Sequence, residues 1–291
     1  MPELPEVESA RVVLERSALG RRIEDVDDSD TYVCRPHPPG ELRAVLVGST
    51  LRTAHRRGKS LWCTTSEGSV LGIHLGMSGK VVVASADGTE VDGGDHWEFG
   101  RAPGDYRHSR FSLAFADGGA LHLVDPRRLG RVRLDPPVDT LGPDAAGIDL
   151  PRFLHALGHG RAPVKARLLD QHALAGIGNL LADDLLWRAG LNPARPVDSL
   201  TGPERVALHR SLTATVDDAL RGGGVHTLPL VAHRRRDGRC PTDGAALVRS
   251  TVGGRTTYWC PRHQPRLPPP PAGQARAGQA ADGRGLPVAP P

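Results

Sequence analysis

The N-terminus places a nucleophile next to an acid. Removal of Met1 would give Pro2 a free secondary amine, and Glu3 follows it directly. An α-amino group has a pKa of about 8, so part of it is unprotonated at neutrality and can attack an aldehyde-level carbon. The resulting iminium has no N–H to lose and acts as an electron sink, while the adjacent carboxylic acid can protonate an oxygen. The alternative is structural, because a proline also suits the start of a helix.

Two further stretches present cations or apolar tips at turns. Lys59 follows Arg57 and Gly58 at the start of a predicted strand, where it can reach a phosphate or donate a proton to a leaving group. Arg127 and Leu129 lie in the loop DPRRLG, and Met77 lies in the glycine-flanked loop HLGMSG. Such loops can enter a duplex and fill the place of an extruded base. The alternatives are a solvated strand end, a polar turn and a core methionine.

The segment 176–179, Gly-Ile-Gly-Asn, opens a predicted helix. Backbone amides at a helix start point outward and the dipole favours an anion, so a DNA phosphate fits there. Lys165, one helix earlier, and Arg161 add positive charge nearby. The alternative is that Asn179 only caps its helix.

Two pairs of metal-ligating residue types lie near the C-terminus, each with two intervening residues, and 16 residues separate the pairs. This spacing is typical of a zinc ribbon, in which the metal holds together a hairpin too small to fold alone. The pattern predicts one structural Zn²⁺; the alternative is a hairpin that packing alone holds. The chemistry expected at Pro2 needs no cofactor. The four predicted ligands are Cys240, Asp243, Cys260 and His263.

The first half of the chain predicts a helix followed by short strands. Residues 5–18 have helical apolar spacing, and from about 22 to 133 short apolar runs alternate with turn signals. Residues 62–65 and 70–75 predict one hairpin, and 111–116 and 120–124 a second. The acidic, glycine-rich span 84–106 predicts a surface loop. These elements predict an α+β protein whose N-terminal domain, 1–136, is a helix plus a β-sandwich or barrel.

The second half predicts helices and then a small basic module. A helical domain is expected over 143–224, with a capping box at Thr201 and Glu204. A finger-like hairpin is expected over 229–264, and the segment 231–264 carries seven arginines against two aspartates, a charge of +5. The tail 265–291, rich in proline, alanine and glycine, is expected to be disordered.

Overall composition limits the class of protein. Lysine and arginine total 37 against 33 acidic residues, so the net charge is +4, which is weak support for a polyanionic partner. No run of about 18 apolar residues predicts a membrane span. The N-terminus has no signal-peptide pattern, so a cytoplasmic, nucleoid-associated protein with reduced cysteines is expected.

Together these motifs resemble the formamidopyrimidine-DNA glycosylase / endonuclease VIII family. The resemblance rests on MPELPEVE, RGK, HLGMSG, DPRRLG, GIGN and GGRTTYWC, which occur in the family's order over about residues 2–264. It implies an N-terminal helix with a β-sandwich, a helix–two-turn–helix domain and a zinc-ribbon-like finger. It also implies excision of oxidised bases from damaged double-stranded DNA, followed by cleavage of the strand at the abasic sugar.

The resemblance assigns a role to each residue that matches a family motif. Pro2 matches the nucleophile, Glu3 the acid, Lys59 the lysine that assists β-elimination, and Arg255 the finger arginine of phosphate binding and δ-elimination. Met77, Arg127 and Leu129 match residues that fill the gap left by the flipped base. The matches to DNA-backbone contacts are His108, Arg161, Lys165 and Asn179.

Three departures from the family pattern bear on function. Asp243 and His263 stand where the family has cysteines, and Leu129 stands where it often has phenylalanine. The connector 223–239 is short, whereas in the guanine-specific branch this region is longer and folds over a flipped 8-oxopurine. The short connector favours a broader or pyrimidine-directed specificity, while Met77 and the N-terminal motif favour the guanine branch, so the lesion stays open.

Three functions remain in competition at this point. A bifunctional glycosylase and lyase uses Pro2 as its nucleophile. A non-catalytic lesion- or duplex-binding protein keeps the scaffold but has an unreactive N-terminus, and a generic metal-ribbon DNA-binding protein gives Pro2 no role. A monomer is expected in each case, because the binding face must close on DNA.

Overall fold

The computed structural model describes residues 2–97 and 100–265. The predicted disordered tail lies outside the described residues, apart from Pro265. The N-terminal helix, α1, covers Leu4–Ser17 and has proline in its first turn, as predicted. Glu3 is its N-cap, and the Glu3 backbone N donates to Glu6 Oε2 at 2.9 Å, which satisfies one amide at the start of the helix.

The predicted N-terminal sandwich is confirmed, and it consists of two antiparallel sheets. The strands are β1 Ile23–Asp27, β2 Leu51–Arg57, β3 Ser60–Thr65, β4 Val70–His74, β5 Lys80–Ala84, β6 Glu90–Gly94, β7 Ser109–Phe115, β8 Ala120–Val124 and β9 Arg131–Leu134. One sheet has the strand order β1-β7-β8-β5-β6 and the other β2-β3-β4-β9. The short helix α2, Glu41–Leu46, follows β1.

Both predicted hairpins are present, as β3–β4 and β7–β8. The prediction of a loop over 84–106 is wrong in part, because strand β6 lies within it and pairs with β5. The glycines that suggested a loop instead permit close packing. A Cβ on Gly93 would lie 2.6 Å from the Ser9 backbone of α1, so α1 lies directly on this edge of the sheet.

The helical region has its own apolar core. Its helices are α3 Leu150–Leu157, α4 Val164–Leu168, α5 Asn179–Arg188 and α6 Gly202–Gly222. The predicted capping box at the start of α6 is present. Leu4, from the first turn of α1, is fully buried in this second core rather than in the sandwich. The N-terminus is therefore fixed between the two regions.

The finger is the hairpin of β10, Val248–Val252, and β11, Arg255–Trp259. Its small core contains Leu230, Cys240, Cys260 and Trp187, the last of which comes from α5. The finger thus packs on the helical region. Within the described residues, no helix has the length and apolar character needed to cross a membrane.

Candidate active site and DNA interface

Three backbone segments meet at the start of α1, and glycines allow the approach. A Cβ on Gly58 would lie 2.7 Å from Gly176 N, and a Cβ on Gly178 would lie 2.1 Å from the Glu3 carboxyl carbon. Gly176 has φ +111°, which favours glycine, and it packs on Leu4. The junction therefore requires glycine at these positions to bring Glu3 against the start of α5.

The Glu3 carboxyl group occupies the N-terminus of α5. Its Oε1 accepts a hydrogen bond from Leu180 N at 2.8 Å, and its Oε2 accepts from Leu181 N at 3.0 Å and Gly178 N at 3.1 Å. The predicted anion site is thus present, but it holds a carboxyl group of the chain itself where a phosphate was expected. The alternative that Asn179 caps the helix is wrong, because Gly178 is the N-cap.

Two buried acids lie beside Pro2, which is itself buried. Burial raises the pKa of Glu3, against the opposing effects of Lys59 and the α5 amides. Burial also raises the pKa of Glu6, whose Oε2 accepts from Glu3 N at 2.9 Å and whose Oε1 accepts from Val225 N at 2.6 Å. A raised pKa keeps a protonated carboxyl group available closer to neutrality, as a general acid requires.

Lys59 lies across the same junction. Its Nζ donates to Ile177 O at 3.0 Å, and burial lowers its pKa, with Glu3 opposing and Arg255 adding to the shift. It borders a cavity of about 830 Å³ between the sandwich, the helical region and the finger, which we call the catalytic cavity. The other predicted residues on its wall are Met77, Asn179 and Arg255.

The finger turn closes one side of the catalytic cavity. Asn179 Nδ2 donates to Thr256 O at 2.9 Å, which ties the start of α5 to the strand that carries Arg255. Gly253 has φ +58°. A Cβ added to it would lie 3.0 Å from Ala166, so the turn packs tightly on α4. The exposed Arg255 is thereby held over the cavity.

Lys165 differs from its prediction as a DNA-backbone contact. Its side chain has no exposed surface, and its Nζ lies 2.6 Å from Asp183 Oδ1 and donates to Thr257 Oγ1 at 2.7 Å. Asp183 Oδ2 accepts from Arg234 Nε at 2.8 Å and from Tyr258 N at 3.0 Å. In this structure Lys165 therefore has no atom free for a phosphate, and the charge cluster instead fastens the finger to α4 and α5. Sequence reasoning missed Asp183 and Arg234, since nothing in the sequence distinguishes a buried acid on α5 from its exposed neighbours.

The two predicted wedge loops pack together. Asp125 is fully buried, and its carboxylate accepts from Ser78 Oγ at 2.6 Å and Gly130 N at 2.7 Å, joining the Met77 loop to the Leu129 loop. Leu129 keeps 38% of its surface exposed at the tip, and Arg127 is exposed beside it. An apolar side chain exposed on a rigid loop is available to enter a duplex.

Two predicted DNA contacts lie away from the catalytic cavity. His108 borders a separate recess of about 230 Å³, together with Arg101 and Arg107. Arg161 is exposed ahead of α4. The wall of the catalytic cavity therefore carries four of the predicted residues, namely Lys59, Met77, Asn179 and Arg255, while these two lie elsewhere.

The predicted metal ligands are brought together in part. The ligand atoms of Cys240, Asp243 and Cys260 all lie within 4.8 Å of one another. Cys260 Sγ is 3.4 and 3.5 Å from the Asp243 oxygens, close to the separation of about 3.5 Å between a thiolate and a carboxylate on tetrahedral zinc. His263 Nε2 instead lies 2.9 Å from Trp187 O, a contact in which the ring must donate. The donor set thus fits three of the four positions around zinc.

Comparisons with known proteins agree with this arrangement. The formamidopyrimidine-DNA glycosylase N-terminal domain model matches residues 1–132, and the H2TH domain model of the same enzymes matches 141–228. A formamidopyrimidine-DNA glycosylase of Salinispora arenicola is 35% identical over 91% of this chain and 97% of its own length.

Solved structures are also similar over most of the chain. A complex of the Lactococcus lactis Fpg with DNA containing an abasic site has a TM-score of 0.75 at 26% identity, over 91% of this chain and all of that one. A complex of the same protein with DNA containing an oxidised pyrimidine has a TM-score of 0.76 at 27% identity, with the same coverage. The chain belongs to the formamidopyrimidine-DNA glycosylase family.

Proposed function

We propose that the protein is a base-excision-repair DNA glycosylase with abasic-site lyase activity, acting on damaged double-stranded DNA. The observation that carries this proposal is the placement of Glu3. Its buried carboxyl group is fixed by three amides of α5, directly after Pro2 and opposite Lys59. A binding protein has no need of a buried acid with a raised pKa beside a potential amine nucleophile.

The chemistry begins with a nucleotide flipped out of the helix, since its C1′ is inaccessible within the stack. The Pro2 nitrogen attacks C1′ and forms a C–N bond, the glycosidic C1′–N bond breaks, and the base departs with a proton. Glu3 protonates the sugar ring oxygen as the ring opens and the iminium forms. The positive iminium makes the C2′ proton acidic, so its loss expels the 3′ phosphate by β-elimination, and a second elimination expels the 5′ phosphate.

The roles of the remaining residues follow from their positions. Lys59, whose pKa burial lowers, exchanges protons in the eliminations and binds the adjacent phosphate. Arg255 binds the phosphate that leaves in the δ-elimination step, while Met77, Arg127 and Leu129 fill the gap in the duplex. Further backbone contacts come from His108 and Arg161 away from the cavity and from Asn179 on the cavity wall. Lys165 acts indirectly by fixing the finger.

The proposed substrates are oxidised and ring-opened bases, including oxidised pyrimidines. None of the residues that line the catalytic cavity comes from the connector that follows α6. Its amides at Val225 and Leu230 donate to Glu6 and Asp184, and Arg234 pairs with Asp183. A connector fixed against α1 and α5 leaves room at the cavity for bases of different shape.

A structural zinc ion would be held by Cys240, Asp243 and Cys260, with the fourth position filled by water or by His263 after its ring leaves Trp187. When bound, the metal supplies cross-linking of the finger hairpin and no step of the reaction. The protein's own residues orient Arg255 through Asn179 and the Lys165–Asp183 pair.

The test uses duplexes that carry one ring-opened guanine, one 8-oxoguanine or one oxidised pyrimidine, with an undamaged duplex as control. The proposal predicts free base plus strands that end in phosphate on both sides of the gap. Base release without strand cleavage would remove the lyase half of the proposal. Tight lesion binding with no product on any duplex would favour the non-catalytic alternative.

A further inference from the structure

A further recess lies beside the Leu129 loop and shares no lining residue with the catalytic cavity. It has a volume of about 360 Å³, and we call it the sheet recess. Its floor is the outward face of β4 and β9, where Gly72 pairs with Arg133 and His74 with Arg131. Successive strand residues alternate between faces, so both arginines point to the same side. Leu129, at the tip of one of the two wedge loops, forms part of its rim.

The sheet recess is cationic. None of the residues that line it is acidic, and within the part of the chain that the structure describes neither Arg131 nor Arg133 forms an ion pair. The Nε of Arg133 is buried and has no hydrogen-bond partner there. A buried guanidinium nitrogen without an acceptor is costly, so the recess is suited to an external anion.

His74 adds a neutral donor at the end nearest the catalytic cavity. Its Nδ1 accepts from Gly76 N at 3.0 Å, so the ring proton lies on Nε2. Desolvation and the nearby Lys59 charge both lower the pKa of His74, which keeps the ring neutral. Lys59 lines the catalytic cavity and the next residue, Ser60, lines the recess, so the two sites are adjacent.

The wedge lies between these two sites. A Cβ on Gly76 would lie 2.4 Å from the Leu129 carbonyl carbon, so the Met77 and Leu129 loops form one body. Met77 borders the catalytic cavity and Leu129 borders the sheet recess. If this body enters a minor groove about 6 Å wide, the lesion strand lies on the Lys59 side and the other strand on the Leu129 side.

We propose that the sheet recess binds the phosphates of the complementary, undamaged strand, with Arg131 and Arg133 each contacting one phosphate. The inference rests on the proposed function, because it places the wedge in damaged duplex DNA. Lys59 and Arg255 then hold the reacting strand while the recess holds its partner, so that flipping one nucleotide does not displace the other strand.

The test measures binding to a duplex with a reduced, uncleavable abasic site at several salt concentrations. Arg131→Ala/Arg133→Ala should lower the slope of log Kd against log salt by about 1.8, since each phosphate contact contributes about 0.9. Arg16→Ala/Arg210→Ala removes two exposed arginines on α1 and α6 and is the matched control, with an unchanged slope. An equal slope in the recess variant and this control would overturn the proposal.

The strand assignment is tested with neutral methylphosphonates on either strand. Replacements on the complementary strand opposite the lesion should weaken DNA binding by the native protein and leave DNA binding by the recess variant unchanged. If the variant instead becomes insensitive to replacements on the lesion strand, the assignment is wrong. Borohydride trapping with the native protein separates this outcome from the enzymatic proposal, because the native chain should form the covalent adduct whether or not the recess binds the complementary strand.

Discussion

Two sites bring several groups to one point, but in different ways. One is the junction where Glu3 meets the start of α5, and the other is the cluster of Cys240, Asp243 and Cys260 in the finger, which we call the metal corner. At the junction, backbone amides of α5 hold the Glu3 carboxyl group, and glycines at 58, 176 and 178 allow the segments to approach. At the corner, three side-chain ligand atoms converge and the fourth predicted ligand, His263, bonds elsewhere. The first arrangement is complete without any ligand, whereas the second has one position unfilled.

This difference indicates where substitutions are tolerated. A site built from backbone amides depends on helix position and on glycines, so any change of the carboxyl group removes its function. A site built from side chains can exchange one ligand type for another, because zinc accepts thiolate, carboxylate and imidazole. The replacements at 243 and 263 lie in the site built from side chains, and the proposed catalytic residues lie in the site built from backbone amides.

The largest effect is expected for Glu3→Gln, which removes the acid but keeps the shape of the side chain. Base excision should fall about 10²–10⁴-fold, measured as single-turnover release of an oxidised base. The control Glu8→Gln makes the same change on the partly exposed side of α1 and should stay within a few-fold of native. Equal activity of Glu3→Gln and Glu8→Gln would show that the buried carboxyl group is not the acid.

The pH dependence of excision gives a second view of the same group. Excision requires protonated Glu3, and burial raises its pKa, so activity should persist above the range of an ordinary glutamate and fall as pH rises through the raised pKa. Activity on a preformed abasic site with Glu3→Gln should lack this alkaline limb. A native profile that rises steadily to high pH would contradict the assignment.

The buried charge cluster of Lys165, Asp183 and Arg234, which joins the finger to α4 and α5, should affect stability. Asp183→Asn leaves Lys165 and Arg234 without their shared carboxylate, and we expect a loss of about 3–5 kcal/mol in the free energy of unfolding by urea. Asp218→Asn, at the half-exposed pair with Arg188, is the control and should cost at most about 1 kcal/mol. Equal losses in the two variants would show that the buried cluster contributes no more to the free energy of unfolding than the half-exposed pair.

Zinc retention sharpens the comparison at the metal corner. Cys260→Ser should reduce bound zinc to near zero, since the thiolate is one of the three gathered ligands. His263→Ala should retain most of the zinc, because water can replace a ligand that bonds to Trp187. Metal content per chain by atomic emission checks both; loss of zinc in His263→Ala to the level of Cys260→Ser would establish histidine as the fourth ligand.

The smallest effect is expected at the wedge tip. Leu129→Phe adds a flat ring where only an aliphatic side chain is exposed, and stacking should tighten binding to an abasic duplex by about 0.5–1.5 kcal/mol. Binding to undamaged duplex should change less. Equal gains on both duplexes would mean that the tip does not enter the gap.

Much of the fold follows from local sequence signals. The spacing of apolar residues predicts α1, the turn residues predict the β3–β4 and β7–β8 hairpins, and Thr201 with Glu204 predicts the start of α6. Strand β6 escapes prediction because its glycines serve packing against α1, and only the tertiary structure shows that contact. The domain limits 1–136, 143–224 and 229–264 stay predictions.

The site is predictable where chemistry is local and unpredictable where it depends on distant segments. Pro2 beside Glu3 suggests its chemistry from adjacency alone. The occupant of the α5 N-terminus is 175 residues from Gly178 in the chain, so the sequence shows an anion site without showing which anion. Lys165 looks like a phosphate ligand because burial cannot be read from a single lysine in a short helix.

The central measurement is borohydride trapping on a duplex with an abasic site, followed by mass mapping of the adduct. The proposed mechanism predicts one adduct per chain on the peptide that begins with Pro2. It predicts no adduct for a Pro2→Gly variant that retains Met1. An adduct on Lys59 or any other lysine, or no adduct from the native chain at any pH, would contradict the mechanism.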